Sequence, residues 1–285
     1  MTLQGKHIVI TGPTAGIGRT TALTLAAQGA TLTLLCRSPE KGAALAAEIT
    51  AAGGAAPTVV EMDMASLASV RQAAEQCLAL GRPVDVLLNN AGIVNTSRRT
   101  TVDGFEEMMA VNHFAPFLLT GLLLPAMLEV PGARIVNVAS AAHAFTRDMG
   151  FADLHAEQGY KTFREYGRSK LANILFTRSL AQRLAEYPVT VNSLHPGAVS
   201  TSLGTQNGGV MSKILPLILK PFFRSPEKGA ETSIYLCSSD EVAGVTGEYF
   251  VDCKAVRPKP WARDDEAAAR LWRVTEESVG FQYPV

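Results

Sequence analysis

The stretch HIVITGPTAGIG at residues 7–18 joins a short apolar run to a glycine-rich turn. Residues 7–11 predict a buried strand and helical periodicity begins near Gly16, so the glycines lie where a strand meets a helix. Because glycine lacks a Cβ, backbone N–H groups can approach phosphate oxygens there, and the start of the next helix favours negative charge. The turn predicts a diphosphate site rather than a tight turn without a ligand, with the expected contacts Gly12, Thr14, Gly16, Ile17 and Gly18.

The same alternation of strand and helix continues along the chain. Alanine-rich amphipathic segments separate short β-branched or leucine-rich runs near residues 7–11, 31–36, 57–61, 84–88, 134–139, 189–194 and 247–251. Such regularity implies parallel strands joined by right-handed crossovers, with helices on both faces of one sheet. We therefore expect an α/β protein with a single-domain Rossmann-type, doubly wound sheet of about seven mainly parallel strands.

Residues 1–285 are predicted to form one dinucleotide-binding catalytic domain, because no long linker, repeat or low-complexity tract interrupts them. The segment around 198–224 is irregular, since glycines and prolines break its periodicity, and we expect it to leave the sheet and cover the substrate. Its apolar residues 214–219 and 222–223 fit a greasy substrate, a membrane surface or ordinary core packing.

Composition excludes several classes of function. The 26 basic and 26 acidic residues cancel, so no overall field attracts nucleic acid. The four cysteines, at positions 36, 77, 237 and 253, show no metal or disulfide pattern and are interpreted as reduced thiols. A strand begins within a few residues of the amino terminus, and the apolar stretches are interrupted before the roughly 18 residues that span a bilayer. These features predict a cytoplasmic protein without a transmembrane segment.

The end of the second predicted strand should meet the adenosine ribose of a dinucleotide. Arg37 stands there in place of a carboxylate, and a guanidinium suits a 2′-phosphate, so NADP(H) is expected over NAD(H), with Arg19 and Ser38 as helpers. A solvated Arg37 is the alternative. After the third strand, Asp63 and Met64 are expected at the adenine, although Asp63 also suits a helix N-cap or loop carboxylate.

Tyr166 and Lys170 lie four residues apart, which on a helix places phenol and ammonium on one face. A nearby cation favours phenolate, so the sequence predicts a lowered tyrosine pKa and proton exchange near neutral pH. Taken alone, the pair also fits an exposed helical contact without function.

Together these residues resemble the short-chain dehydrogenase/reductase family over nearly the whole chain. The resemblance is carried by Thr11-Gly12-x-x-x-Gly16-Ile17-Gly18, Asn89-Asn90-Ala91-Gly92, Asn112, Ser140, Tyr166-x-x-x-Lys170 and Pro196-Gly197. Two further stretches of sequence are similar to the retinol-dehydrogenase-like branch, namely Leu35-Cys36-Arg37-Ser38 and Lys170-Leu171-Ala172-Asn173. That branch also contains WW-domain oxidoreductases, but no WW domain precedes the fold here.

The resemblance implies hydride transfer between a nicotinamide and a carbonyl or alcohol. It implies that Tyr166 is the acid/base, that Lys170 lowers its pKa and bonds the nicotinamide ribose, and that Ser140 donates to the substrate oxygen. Asn112 would serve a water-linked proton relay, structural support, or both. Further cofactor contacts are implied at Asn90, Ala91, Gly92, Pro196, Gly197, Val199 and Thr201.

Two features depart from the compact family pattern. An insert between Phe145 and Phe163 lengthens the spacing from Ser140 to Tyr166, as in retinol-dehydrogenase-like members, and Ala139 replaces a common serine. Tyr160 has arginine rather than lysine four residues on, which makes it the weaker catalytic candidate. Histidines 143, 155 and 195 are scattered, so no metal site is expected.

We therefore expect an NADP(H)-dependent oxidoreductase that interconverts carbonyl and alcohol on a small apolar substrate, such as a retinoid, ketone or aldehyde. The reaction direction stays open. A catalytically silent NADP(H)-binding regulator or scaffold is the alternative, and a sugar-nucleotide epimerase is disfavoured by the short C-terminal portion. The family resemblance also allows a homodimer or homotetramer.

Overall fold

A computed structural model describes residues 2–197 and 224–285. Its strands, numbered β1 to β8 in chain order, are His7–Thr11, Thr31–Cys36, Thr58–Glu61, Val86–Asn89, Ala133–Val138, Val189–His195, Tyr249–Val251 and Lys254–Ala255. They form one sheet in the order β3-β2-β1-β4-β5-β6-β7-β8. All neighbouring pairs from β3 to β7 are parallel, and β8 alone runs antiparallel to β7. The predicted doubly wound sheet is confirmed.

Within residues 2–197 and 224–285, six main helices lie between strands and a seventh follows the last strand. Numbered α1 to α7, they are Gly16–Ala27, Pro39–Ala51, Leu67–Ala79, Glu107–Ala126, Thr162–Arg183, Pro226–Ser238 and Asp265–Val279. The helices α2, α3, α6 and α7 each begin after a serine or aspartate whose side chain accepts a backbone N–H of the first turn. Such caps satisfy donors that the helix itself leaves unpaired, and so fix where each helix starts.

Hydrophobic residues cover both faces of the sheet, as the continuous apolar strands require. Successive side chains of a strand point to opposite faces, so Ile8 and Ile10 pack in one cluster with Leu25 of α1 and Leu236 of α6. Val9, between them, belongs to the other cluster, which includes residues of α3, α4, α5 and α7. The carboxyl ends of β1 and β4 lie side by side where the chain reverses its winding direction, which is the usual ligand site of such sheets.

The helix α4 is predominantly apolar, and by length and composition alone it could cross a membrane. In the structure it is a core helix, because most of its side chains are buried. The carboxyl-terminal tail packs on it, and the Tyr283 hydroxyl donates a hydrogen bond of 2.6 Å to the backbone oxygen of Phe117. Its apolar composition is therefore accounted for by packing within the chain.

The predictions about the number of strands, the 198–224 segment and the single domain fare differently. The eighth strand was not expected, and it follows a turn in which Asp252 and Cys253 adopt left-handed conformations. The excursion around 198–224 lies outside the described residues except for Arg224. The single-domain assignment stays a prediction. All four cysteines are free, and three of them are buried.

One buried histidine of α4 gives a stability prediction. Burial lowers the pKa of His113 to about 3, and its Nε2 lies 3.0 Å from the Thr275 hydroxyl. Below pH 6.5 His113 binds a proton in the unfolded chain but stays neutral in the folded chain. The free energy of unfolding is therefore expected to fall as the pH drops below about 6.5, by up to roughly 1.4 kcal/mol per pH unit.

The matched variant is His113→Gln, which keeps a polar, uncharged side chain at this position. Urea unfolding at pH 7 and pH 5 should show the wild type losing about 2 kcal/mol more than this variant between the two values. Parallel pH profiles for the two proteins would show that His113 does not carry this acid sensitivity.

Candidate active site

The glycine turn between β1 and α1 is locked to the end of β4. Asn90 Nδ2 donates to the backbone oxygens of Thr11 and Gly12, at 2.8 and 3.1 Å. The Thr11 hydroxyl in turn accepts the backbone N–H groups of Asn90 and Ala91, at 3.0 and 2.9 Å. A Cβ on Gly18 would lie 2.3 Å from the Gly12 oxygen and 2.5 Å from Asn90 Nδ2, so only glycine fits there.

The start of α1 differs from the other helix starts. Ala15 occupies the N-cap, no side chain caps the first turn, and no acidic residue lies in that turn. Its backbone N–H groups and the positive end of the helix dipole are thus available to an anion. The turn and helix start together fit the diphosphate of a dinucleotide.

The adenosine end of the site carries the predicted arginine. Arg37 is exposed at the end of β2. Its predicted helpers are otherwise engaged, because Arg19 forms an ion pair with Glu48 and the Ser38 hydroxyl caps α2 and donates to Glu40 at 2.7 Å. These contacts engage the two predicted helpers and do not involve Arg37.

Asp63 lies at the carboxyl end of β3, as expected. One of its carboxylate oxygens accepts the Ala65 backbone N–H at 2.9 Å, while Ser66 is the N-cap of α3. Asp63 is therefore not the N-cap of α3, this contact uses only one of its carboxylate oxygens, and its contact with adenine stays a prediction. Met64 follows it and is buried.

The structure brings Ser140, Tyr166 and Lys170 together. Ser140 follows β5, and its hydroxyl is near enough to the Tyr166 phenol to act on the pKa of that phenol. Lys170, one turn further along α5, donates from Nζ to the Val138 oxygen at 3.0 Å and lies 5.8 Å from the centre of the Tyr166 ring. The side chains of Ser140 and Tyr166 thus present adjacent hydroxyl groups.

The structure contradicts the prediction that the pKa of Tyr166 is lowered. Burial raises the pKa of Tyr166, and the hydrogen bond from Ser140 opposes this shift. Burial also lowers the pKa of Lys170 to about 8, so its ammonium is still the main form at neutral pH. The expected lowering by Lys170 is not found, because removal of water from the phenol is the largest effect on its pKa.

Asn112 supports this arrangement from α4. Its side chain exchanges two hydrogen bonds with the Ile93 backbone and donates to the Ser169 hydroxyl at 2.9 Å. Ser169 then donates to the Tyr166 backbone oxygen at 2.9 Å. Asn112 lies in a π-helical turn, Ala110–Phe114, and such turns are frequent at functional sites.

Gly92 lies between two of the predicted functional groups. A Cβ at this position would come within 3.2 Å of both Asn112 Oδ1 and Lys170 Nζ. The glycine thus keeps the two polar groups close to one another and to the end of β4.

Sequence reasoning missed a chain of buried polar residues beneath the site. Asn89 donates to Thr120 and to Asn137, at 3.0 and 2.8 Å, and Asn137 donates to Thr177 at 3.0 Å. These bonds tie β4 and β5 to α4 and α5. The signal was a polar residue inside each of two apolar strands, since buried amides need partners.

The remaining predicted residues lie at the end of β6 or beyond it. Pro196 and Gly197 follow β6 directly, and the Arg224 side chain packs beside Gly197 and pairs with Asp252. Val199 and Thr201 lie outside the described residues.

Tyr160 takes a structural position in the insert before α5. Its hydroxyl donates to the Asn95 backbone oxygen at 2.9 Å. The insert is also held by Arg168, which pairs with the buried Glu165 and donates to the Asp153 oxygen. Across residues 2–197 and 224–285, no group of three histidine, cysteine or acidic side chains is arranged to hold a metal.

Comparison with known proteins gives a consistent family assignment. The family model described as short chain dehydrogenase matches residues 6–208. The chain is 43% identical to human retinol dehydrogenase 14 and 40% identical to human retinol dehydrogenase 13. These alignments cover 98% and 99% of the chain and 87% of each relative.

Solved structures share the fold. An uncharacterised protein from Mycobacterium paratuberculosis is 31% identical, with a TM-score of 0.81 and coverage of 100% of this chain and 97% of its own. A blue fluorescent protein from a metagenomic library, solved in complex with NADPH, is 30% identical, with a TM-score of 0.69 and coverage of 88% and 97%.

Proposed function

The chain belongs to the short-chain dehydrogenase family and is an oxidoreductase, and from this premise we propose that it interconverts a carbonyl and an alcohol on an apolar substrate with NADP(H). The observation that carries the proposal is that Ser140, Tyr166 and Lys170 lie together, with Tyr166 and Lys170 on one face of α5. This group follows β5 at the same edge of the sheet as the glycine turn.

In the proposed mechanism a nicotinamide, held with its diphosphate at the glycine turn, would supply or accept the hydride. Tyr166 holds the proton that the substrate oxygen gains in reduction, and Ser140 orients that oxygen by a second hydrogen bond. Lys170 supports the site as a buried cation. The raised pKa of Tyr166 keeps the phenol protonated at neutral pH, as a proton donor for reduction must be.

The rim of the site supports an apolar substrate. Phe145 and Phe163 are 59% and 68% exposed and meet edge to face, with their ring centres 6.0 Å apart. Phe145 also lies beside Gly167, the residue that follows Tyr166. Exposed aromatic rings next to a catalytic tyrosine suit an apolar ligand, and the relatives are named as retinol dehydrogenases.

The proposed preference for NADP(H) rests on Arg37. Arg37→Asp is expected to weaken NADP(H) binding by roughly 1–3 kcal/mol, because a charge-assisted contact to the 2′-phosphate is lost. NAD(H) binding should hold or improve. Fluorescence titrations of NADP(H) and NAD(H) affinity test this. The matched charge reversal is Lys41→Asp, at an exposed position of α2. An unchanged preference in Arg37→Asp would discard the assignment.

The proposed activity is tested by following NADPH oxidation with a panel of carbonyls that includes retinal, aliphatic aldehydes and cyclic ketones. Turnover of apolar members supports the proposal. Tight cofactor binding without turnover of any member would instead support the silent NADP(H)-binding alternative. Cell fractionation would test the predicted cytoplasmic location. Light scattering would test the predicted homodimer or homotetramer.

A further inference from the structure

A separate cavity of about 290 Å³ lies at the β7–β8 end of the sheet. Three segments form its walls: α5, the hairpin of β7 and β8, and the turn Pro260–Arg263. None of the residues assigned above to catalysis or cofactor binding lines it. Its lining includes three arginines from these separate segments, Arg178, Arg257 and Arg263.

Two of these guanidinium groups have unmet hydrogen-bonding capacity. Arg178 Nε and Arg263 Nε are buried, and neither has a partner within the described parts of the chain. A buried donor without a partner costs about 1–3 kcal/mol, so such donors are normally satisfied by protein, water or ligand. The described protein therefore leaves these two guanidinium groups only partly satisfied.

The charges at the cavity are only partly balanced. Arg178 pairs with Asp265 at 2.8 Å. Glu248 also lines the cavity, yet no ion pair in the described residues includes Glu248, Arg257 or Arg263. Three positive groups therefore face two negative ones, and two arginines keep no ionic partner.

The remaining wall adds a neutral donor. Tyr249 lines the cavity, and burial raises the pKa of its phenol, so the O–H is retained. Each guanidinium carries several N–H donors in a planar fork that suits oxyanions. Donors from three arginines and a phenol exceed what a single carboxylate accepts, whereas a phosphate offers more oxygens and a larger charge.

We propose that this cavity binds a phosphate group. Arg257 and Arg263 provide the ionic contacts, and Arg178 and Tyr249 provide further hydrogen bonds. The cavity is near the lower end of the roughly 300–1,000 Å³ usual for ligand sites, so a phosphate with a small organic part fits best.

Isothermal titration of the full chain with inorganic phosphate tests the proposal, at constant ionic strength set with chloride. The titration is run with and without saturating NADP⁺, because the cofactor site is a second place for phosphate. Arg257→Gln and Arg263→Gln are expected to weaken binding at least about tenfold in both conditions, as the loss of a charge-assisted contact implies. Arg273→Gln, an exposed arginine of α7 outside the cavity, should bind like the wild type.

Vesicles of phosphatidylcholine with phosphatidic acid form a second arm. If the protein is retained on these vesicles and the retention depends on Arg257, the same site binds phosphate from a lipid headgroup. Arg257 is exposed after β8, so its variant is expected to fold, and its melting temperature checks this. Absence of binding to both probes, or equal binding by all four proteins, would overturn the proposal.

Discussion

Replacing Tyr166 with Phe is expected to lower kcat for carbonyl reduction by about 10²- to 10⁴-fold, the usual contribution of a positioned general acid. The variant removes the hydroxyl that meets Ser140 and keeps the ring beside Lys170. Cofactor affinity should change little, because the glycine turn and the start of α1 are untouched. Initial rates of NADPH oxidation and a separate binding titration distinguish these two effects.

The matched control for this variant is Tyr160→Phe. Its hydroxyl donates to the Asn95 backbone oxygen in the insert before α5, away from Ser140. It should lose some stability and retain most of its kcat. A Tyr166→Phe protein that keeps more than about a tenth of wild-type kcat would exclude the phenol as the essential acid.

The sheet was largely predictable because local and long-range preferences agree. Strands β1 to β7 are each apolar runs, and helix-forming segments separate most of them, so parallel crossovers were the natural solution. The strand β8 was missed because it has two residues and depends on the turn at Asp252 and Cys253. Neither residue is glycine, so the left-handed turn left no clear signal in the sequence.

The members of the site were predictable from motifs, but their electrostatics were not. The i,i+4 spacing placed Tyr166 and Lys170 on one helix face, as the structure shows. The sign of the Tyr166 pKa shift depends on how much water the fold removes from around the phenol. The spacing of residues in the sequence contains no information about this burial.

Supporting contacts were harder still to predict. Arg19 was expected at the ribose, yet it pairs with Glu48, which lies on another helix and 29 positions along the chain. Ser169 was not singled out, although it joins Asn112 to the backbone of Tyr166. Such partners are set by tertiary packing, so a single sequence contains little information about them.

Gly18→Ala is expected to weaken cofactor binding by about 100-fold or more, equivalent to roughly 3 kcal/mol. The new methyl group would meet the Gly12 backbone oxygen at 2.3 Å and Asn90 Nδ2 at 2.5 Å. Backbone cannot swing aside as a side chain can, so the bonds from Asn90 to Thr11 and Gly12 must break and the turn must shift. Overpacking of this kind also costs about 1–3 kcal/mol of folding stability.

Gly42→Ala in α2 separates the loss of cofactor binding from general destabilisation. A methyl group at Gly42 would lie 2.6 Å from Val59 Cγ1 and 2.7 Å from Cys36 Sγ, which are side-chain atoms away from the glycine turn. Both variants should unfold at lower urea concentration than the wild type, but Gly18→Ala should lose far more cofactor affinity than Gly42→Ala, whose methyl group meets Cys36 beside Arg37. If NADP(H) binds Gly18→Ala as tightly as it binds Gly42→Ala, the close approach of α1 to the turn is not what shapes the diphosphate site.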